Sequence, residues 1–201
     1  DPGTVARAGA IHRSLLEDRQ AVEPNLAGAV VGVVAHSGGA TEHRQFVDRW
    51  HEAATPQEEI RYLYALADFP SAELMAETLR IAGAEARTQN APFLIARALA
   101  NPRAGQVAWA HVRDHWDELL ARLPDATVSR MLGGIVWLWD DAGLLAPEVE
   151  TFLDTHPFPP GDKTIAQLRD RLMVNATFAR RRGDAVRAAL GAASRPAAAA
   201  G

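Results

Sequence analysis

The chain has 201 residues, 48% of them hydrophobic and 23% charged, and a formal net charge of -4. That composition supplies a real core and lies far from disordered chains, while the acidic balance argues against a surface built to neutralise phosphates. Cysteine is absent, which excludes a disulfide framework, a thiolate zinc site and a Cys nucleophile, and fits a reducing, cytoplasmic setting.

The opening Asp1-Pro2-Gly3-Thr4 has neither an initiator Met nor the basic and apolar regions of a signal peptide, so the chain reads as a piece of something longer. The longest apolar run, around Leu26 to Ala35, contains Gly28 and Gly32 and falls short of a membrane span. Behind Pro24, Leu26, Ala29, Val30, Val33 and Val34 form a helical stripe that Ser37-Gly38-Gly39 ends, and the next helix begins near Thr41.

Thr55-Pro56-Gln57-Glu58 is a helix start, with Thr55 placed to accept from the Glu58 amide, Glu58 to reach back, and Pro56 in the first helical position. Ile60, Leu63, Tyr64 and Ala67 follow on one face. Asp68-Phe69-Pro70-Ser71 breaks that helix and opens another carrying Leu74, Met75, Leu79 and Ala82, which Gly83 stops. Pro92 opens a short helix through Leu99, and Asn101-Pro102 caps the following one. Trp109, Val112, Trp116, Leu119 and Leu120 stripe that helix before Pro124; Val128, Met131, Leu132, Ile135, Leu138 and Trp139 stripe the next, leaving Trp137 off the stripe. After Ala146-Pro147 come a short helix to Leu153, the breaker His156 to Gly161, and a long helix with Ile165, Leu168 and Leu172. The pattern predicts an all-α fold, a superhelical stack of antiparallel helix pairs like a HEAT or armadillo solenoid, with residues 1–190 as one domain and 191–201 as an Ala-rich tail.

Catalytic patterns do not emerge. His51-Glu52 begins like H-E-x-x-H but Thr55 stands where the second His is needed. His111 and His115 have the spacing to share a cation, yet no third ligand accompanies them, and a solvent-facing strip explains them better. Ser14, Ser37, Ser71, Ser129 and Ser194 lie in no nucleophile elbow; Glu58-Glu59 and Asp140-Asp141 are neighbours on helices that point apart, which suits capping or solvation. Arg169, Arg171, Arg180-Arg181-Arg182 and Arg187 make the last helix basic, but the run lacks the repeated aromatic residues that base stacking uses, so no nucleic-acid partner is expected.

The run Asn101-Pro102-Arg103-Ala104-Gly105, then Ala108-Trp109 and Val112-Arg113-Asp114-His115-Trp116, resembles the N-P-x-G, A-W and F-x-x-x-N-W sequence of aminopeptidase N type C-terminal domains. Thr55 with Glu58, Ala65-Leu66-Ala67, Leu74, Leu79 and Arg87-Thr88-Gln89 resemble the family's upstream landmarks in the same order. His111 and Val112 replace its aromatic, His115 its Asn, and Arg103 to Gly105 carries one extra residue.

The resemblance implies a superhelix of HEAT-like pairs forming a bowl against a separate zinc-bearing catalytic domain, which encloses the active-site chamber and limits peptide access. On that reading this chain holds no catalytic or metal residue and no cofactor of its own. Its partners are the parent's catalytic domain and peptide substrate, with no membrane. Arg80, Arg87, Arg97 and Trp137 are the side chains expected to face the chamber. The alternative is a free-standing helical-repeat scaffold that binds a protein or peptide partner.

Overall fold

In the computed structural model, residues 1–140 and 143–193 are described. Among them every regular element is a helix or a 3-10 turn, and no helix is long and apolar enough to cross a membrane. Helix α1 spans Pro2–Glu17, with Asp1 accepting from the Thr4 amide at 3.0 Å. The sequence pattern does not reveal this helix, because only Ala8, His12 and Leu15 are buried and they make a narrow stripe. Helix α2, Pro24–Ser37, pairs with α1, and α3, Ala40–His51, pairs with α4, Pro56–Ala65.

The Thr55 cap forms as expected, at 3.2 Å from the Glu58 amide. Glu58 reaches back one residue further than a capping box does, to the Ala54 amide at 2.9 Å, and also takes Arg19 Nε at 3.1 Å. That ties the α1–α2 turn to the start of α4. On α4 the buried face carries Tyr62 and Leu63, while Ile60 is turned outward.

After a 3-10 turn at Leu66–Asp68, α5 runs Ala72–Ala84; Ser71 caps it, and Gly83 sits within its last turn rather than ending it. Helix α6, Ala91–Leu99, is the hub. It touches α4, α5, the next helix α7 (Gly105–Asp114), and, further along, α9 (Asp125–Met131) and the 3-10 segment Leu132–Trp137. Its Ala91, Leu94, Ile95, Ala98 and Leu99 are fully buried.

Two glycines allow that enclosure. A Cβ on Gly134 would stand 2.1 Å from the Ala96 carbonyl oxygen, and one on Gly105 would stand 2.7 Å from that of Leu99. No side chain fits at either place.

Two long stripes divide where one helix was expected. The Trp109–Leu120 stripe is split at His115 into α7 and α8, Trp116–Arg122, with backbone hydrogen bonds running on from His115 to His111 and from Leu119 to His115. The Val128–Trp139 stripe is α9 followed by 3-10 backbone, which brings Gly134 against α6. At the start of helix α10, Leu145–Thr155, the Leu144 and Leu145 amides donate to Oδ1 of Asp140; its neighbour Asp141 lies outside the described residues. Helix α11 covers Asp162–Ala193 and buries Ile165 and Leu172 against the body. It therefore runs into the expected tail, of which residues 194–201, Ser194 included, lie outside the described residues.

The result is a stack of packed helix pairs, an all-α solenoid-like array. Two aromatic clusters anchor its halves. Phe46 makes edge contacts with Tyr62 and Phe69 at 5.2 and 5.3 Å, joining α3, α4 and the turn before α5. Phe152 on α10 receives Trp109 at 5.3 Å and Trp116 at 5.5 Å.

Asn101 stitches the halves. Its Nδ2 donates to the carbonyls of Ala67 and Phe69 at 2.8 and 3.0 Å, and its Oδ1 accepts from the amides of Arg103 and Ala104. Asn101→Ala leaves two buried carbonyls unpaired and is expected to cost about 2 to 4 kcal/mol, read from the urea midpoint. Gly134→Ala forces backbone apart at α6 and is expected to cost about 2 kcal/mol or more, with a lowered Tm in a thermal melt.

Candidate functional site

The four side chains expected to face a chamber do not form one cluster. Arg80, near the end of α5, is held by Glu77 at 2.8 Å and Glu85 at 2.9 Å, and Glu85 also lies 3.5 Å from His51 Nε2. Arg87, in the turn before α6, is 3.6 Å from Glu59. Arg97, at the other end of α6, makes a two-pronged pair with the mostly buried Asp68, at 2.7 and 2.5 Å. Trp137 ends the 3-10 segment with 56% of its surface exposed. Among the described residues no hydrogen bond, ion pair or ring contact joins any two of these four.

The neighbouring carboxylates hold Arg80 and Arg97 charged, Arg80 through Glu77 and Glu85, Arg97 through Asp68 against the opposing effect of its burial. Each of the three arginines is already neutralised within the chain. What they offer a ligand is donor geometry more than free charge.

His111 and His115 do meet, as stacked rings 4.3 Å apart. Burial and the adjacent His115 lower the pKa of His111, and Nδ1 of His115 is 3.0 Å from the His111 carbonyl. Both imidazoles are turned flat against each other instead of converging on a point, and among the described residues no group of three His, Cys, Asp or Glu side chains could hold a metal. The residues here do not fit zinc. His51 likewise pairs with Glu85, and its ring lies on Trp50 at 4.2 Å.

A hollow of about 640 Å³ opens between the α1–α2 turn and α3, lined by Arg19, Arg49, Asp48 and Glu52 among others. Its cations are committed: Arg49 donates to the Leu15 and Leu16 carbonyls, and Arg19 to Glu58 and the Glu52 carbonyl. The arrangement closes the C-terminal end of α1, where carbonyls lack helical partners. It sets no base beside a nucleophile.

The sequence reading missed a buried polar pair. His43 Nε2 lies 3.0 Å from Thr78 Oγ1, and that hydroxyl also faces the carbonyls of Leu66 and Leu74 at 3.1 and 2.9 Å. A hydroxyl has one proton, and a carbonyl is the natural taker, so its oxygen accepts from His43 Nε2–H. His12 is buried against Phe46, and its Nε2 finds no partner among the described residues. Both histidines stood in sequence as isolated polar residues, and only the packing of α1 and α5 on α3 reveals their burial.

The model of the ERAP1-like C-terminal domain family matches residues 1–173. The chain belongs to this family. It is a helical C-terminal domain of the aminopeptidase type, in agreement with the landmarks from Thr55 to Trp116. The match takes in Arg80, Arg87, Arg97 and Trp137 and ends on α11 just past Leu172, ahead of Arg180-Arg181-Arg182.

Burial lowers the pKa of His12, with help from Arg49, and that of His43, each below the ordinary 6.5. The unfolded chain then binds more protons in the window just below 6.5, so their contribution to stability is complete above it and drains away as pH falls toward the folded values. The urea midpoint is expected to drop between pH 7.5 and pH 5, and the double variant His12→Gln, His43→Gln to show a shallower drop.

Proposed function

We propose that this ERAP1-like C-terminal domain is the non-catalytic, access-controlling part of a zinc-dependent aminopeptidase. The match over residues 1–173 carries the reading. Residues 1–190 form one folding unit that lies against the parent's catalytic domain, encloses its active-site chamber and limits which peptides enter. Zinc and the water it activates belong to that other domain, so this chain performs no step of hydrolysis.

Within the bowl, Arg80, Arg87, Arg97 and Trp137 face the chamber. Trp137 offers a large exposed ring to a peptide side chain, and the arginines, braced by Glu77, Glu85, Glu59 and Asp68, present remaining N–H groups to peptide carbonyls or a terminal carboxylate. Bracing matters because a fixed guanidinium loses less freedom when it binds. The setting is cytoplasmic, and neither nucleic acid nor a membrane is a partner. Support for docking against another domain comes from apolar side chains exposed at both ends of the array, Val5 and Leu26 at one and Met173, Val174 and Phe178 at the other.

The purified chain is expected to neither retain stoichiometric zinc nor hydrolyse leucine or alanine amides. In the intact parent enzyme, Trp137→Ala or Arg97→Ala is expected to change kcat/KM for peptides of about eight residues or more by roughly 3- to 10-fold, about 0.7 to 1.4 kcal/mol, while leaving aminoacyl amides untouched. Equal effects on both substrates would remove the chamber role; turnover by the isolated chain would remove the non-catalytic reading.

A further inference from the structure

Helix α6 meets water along a single stripe. Phe93 and Arg97 are exposed and Ala96 and Ala100 half-buried, at the spacing of one helical face. Among the described residues, α3, α5, α7, α8 and α10 leave no large apolar side chain exposed, whereas α4, α6 and the 3-10 segment Leu132–Trp137 leave one each, Ile60, Phe93 and Trp137. The segments that do so are neighbours, with α6 in the middle.

Their contacts advance in step along α6. On one flank the Tyr64 and Phe93 rings lie 6.4 Å apart, and Asp68 holds Arg97, each four residues further on. On the other flank the Arg130 guanidinium lies 5.8 Å from the centre of the Phe93 ring, and Gly134 lies against Ala96 and Leu99. Arg130, Gly133 and Trp137 share one face of their segment, at i, i+3 and i+7. Phe93, backed by Tyr64 and Arg130, therefore stands at one end of an open strip and Trp137 at the other. Between them Ala96, Ala100 and Gly133 leave a trough, and a Cβ on Gly133 would meet nothing within 4 Å. Arg97 stands beside it with Nε and Nη2 on Asp68, which leaves Nη1 to donate.

The length of the trough fits one kind of occupant. From Arg130 to Trp137, rises of about 1.5 Å per α residue and about 2.0 Å per 3-10 residue add up to about 13 Å. An extended chain covers that in about four residues at about 3.3 Å each, and covers the single turn from Phe93 to Arg97 in about two. Alternate side chains of an extended chain share a face, so positions i, i+2 and i+4 all turn toward this wall. A helix would pass through about two and a half turns over the same length and could not meet both ends in phase.

We propose that the trough seats an extended stretch of the substrate peptide and that Phe93 is a specificity-determining residue: side chains i and i+4 pack on Phe93 and Trp137, and position i+2 meets Arg97. The proposal rests on reading this domain as a wall of the parent's chamber, and goes beyond it by setting a sequence pattern, apolar at i and i+4 with a hydrogen-bond acceptor at i+2. Asp68 already neutralises Arg97, so the middle position is read by its remaining N–H groups more than by charge.

The test uses the intact parent enzyme and the initial release of an N-terminal Leu from Gly-Ser peptides of about ten residues. Each carries two Phe three, four or five residues apart, and the pair is moved along the chain. The best peptide with a spacing of four is expected to exceed those of the other spacings roughly fivefold in kcat/KM. Phe93→Ala is expected to bring that ratio close to one and Phe93→Tyr to retain it. Gly133→Gln, which fills the trough without a clash, is expected to abolish it too. A ratio taken within one enzyme does not change when part of the preparation is unfolded. No advantage for a spacing of four, or an advantage that survives both Phe93→Ala and Gly133→Gln, overturns the proposal. Should Trp137→Ala or Arg97→Ala still affect long peptides alone, the chamber reading stands without the trough; should no variant separate long peptides from leucine amide, both fall.

Discussion

Everything in this fold is arranged around a short helix that is enclosed on all but the one side where Phe93 and Arg97 meet water. Helix α6 is nine residues long, too short to hold itself helical in water, and its stability comes from being enclosed. Gly134 and Gly105 let neighbouring backbone approach the carbonyls of Ala96 and Leu99 where any side chain would intrude. The 3-10 conformation of Leu132–Trp137 follows from the same demand, because that segment lies across α6 instead of continuing α9. The exposure of Trp137 is thus a by-product of packing at α6, and the feature most available to a ligand rests on the least negotiable contact in the core.

Two arginines close helix ends. Arg122 donates to the carbonyls of Ala82 and Ala86 where α5 finishes, and Arg49 to those of Leu15 and Leu16 where α1 finishes. A cation suits the negative end of a helix and satisfies carbonyls that have no partner within it. Others pair with acids across helices, as Arg169 does with Glu150 and Asp154. The array's rigidity is therefore distributed over many two-ended ties between adjacent helices, each modest, and Asn101 performs the same service with no charge at all.

The helix starts were the most legible part of the sequence, because a cap is a local matter: Thr55 before Pro56, Ser71 before α5 and the Pro92 opening all stand where they were read. Stripes told less about continuity. The run from Trp109 to Leu120 keeps its apolar side across the bend at His115, so periodicity alone could not reveal the break. The Val128–Trp139 run hid its 3-10 half for the same reason, and only the contact at Gly134 explains it. The family was readable from the residues between Thr55 and Trp116, since landmarks in fixed order survive where single residues vary. The interior polar pairs were not, because burial of His12 and His43 depends on which helices stack, which one-dimensional spacing does not encode.

Helix α11 outlasts the body it packs on. Its buried stripe ends at Leu172, Asn175 Nδ2 still reaches the Val136 carbonyl at 2.8 Å, and from Asp184 to Gly191 every side chain is exposed. The first half is held by tertiary burial; the second is exposed and relies more on local terms, the Asp184–Arg187 pair at 2.8 Å and a helix propensity to which alanine and arginine are favourable and Gly183 is not. Cooperativity should then divide along a single rod: amides before about residue 176 exchange with the global unfolding of the domain, whereas those beyond Gly183 exchange by fraying, on a local free-energy scale of its own. A protease would cut first in the exposed stretch beyond Gly183 and leave the array standing.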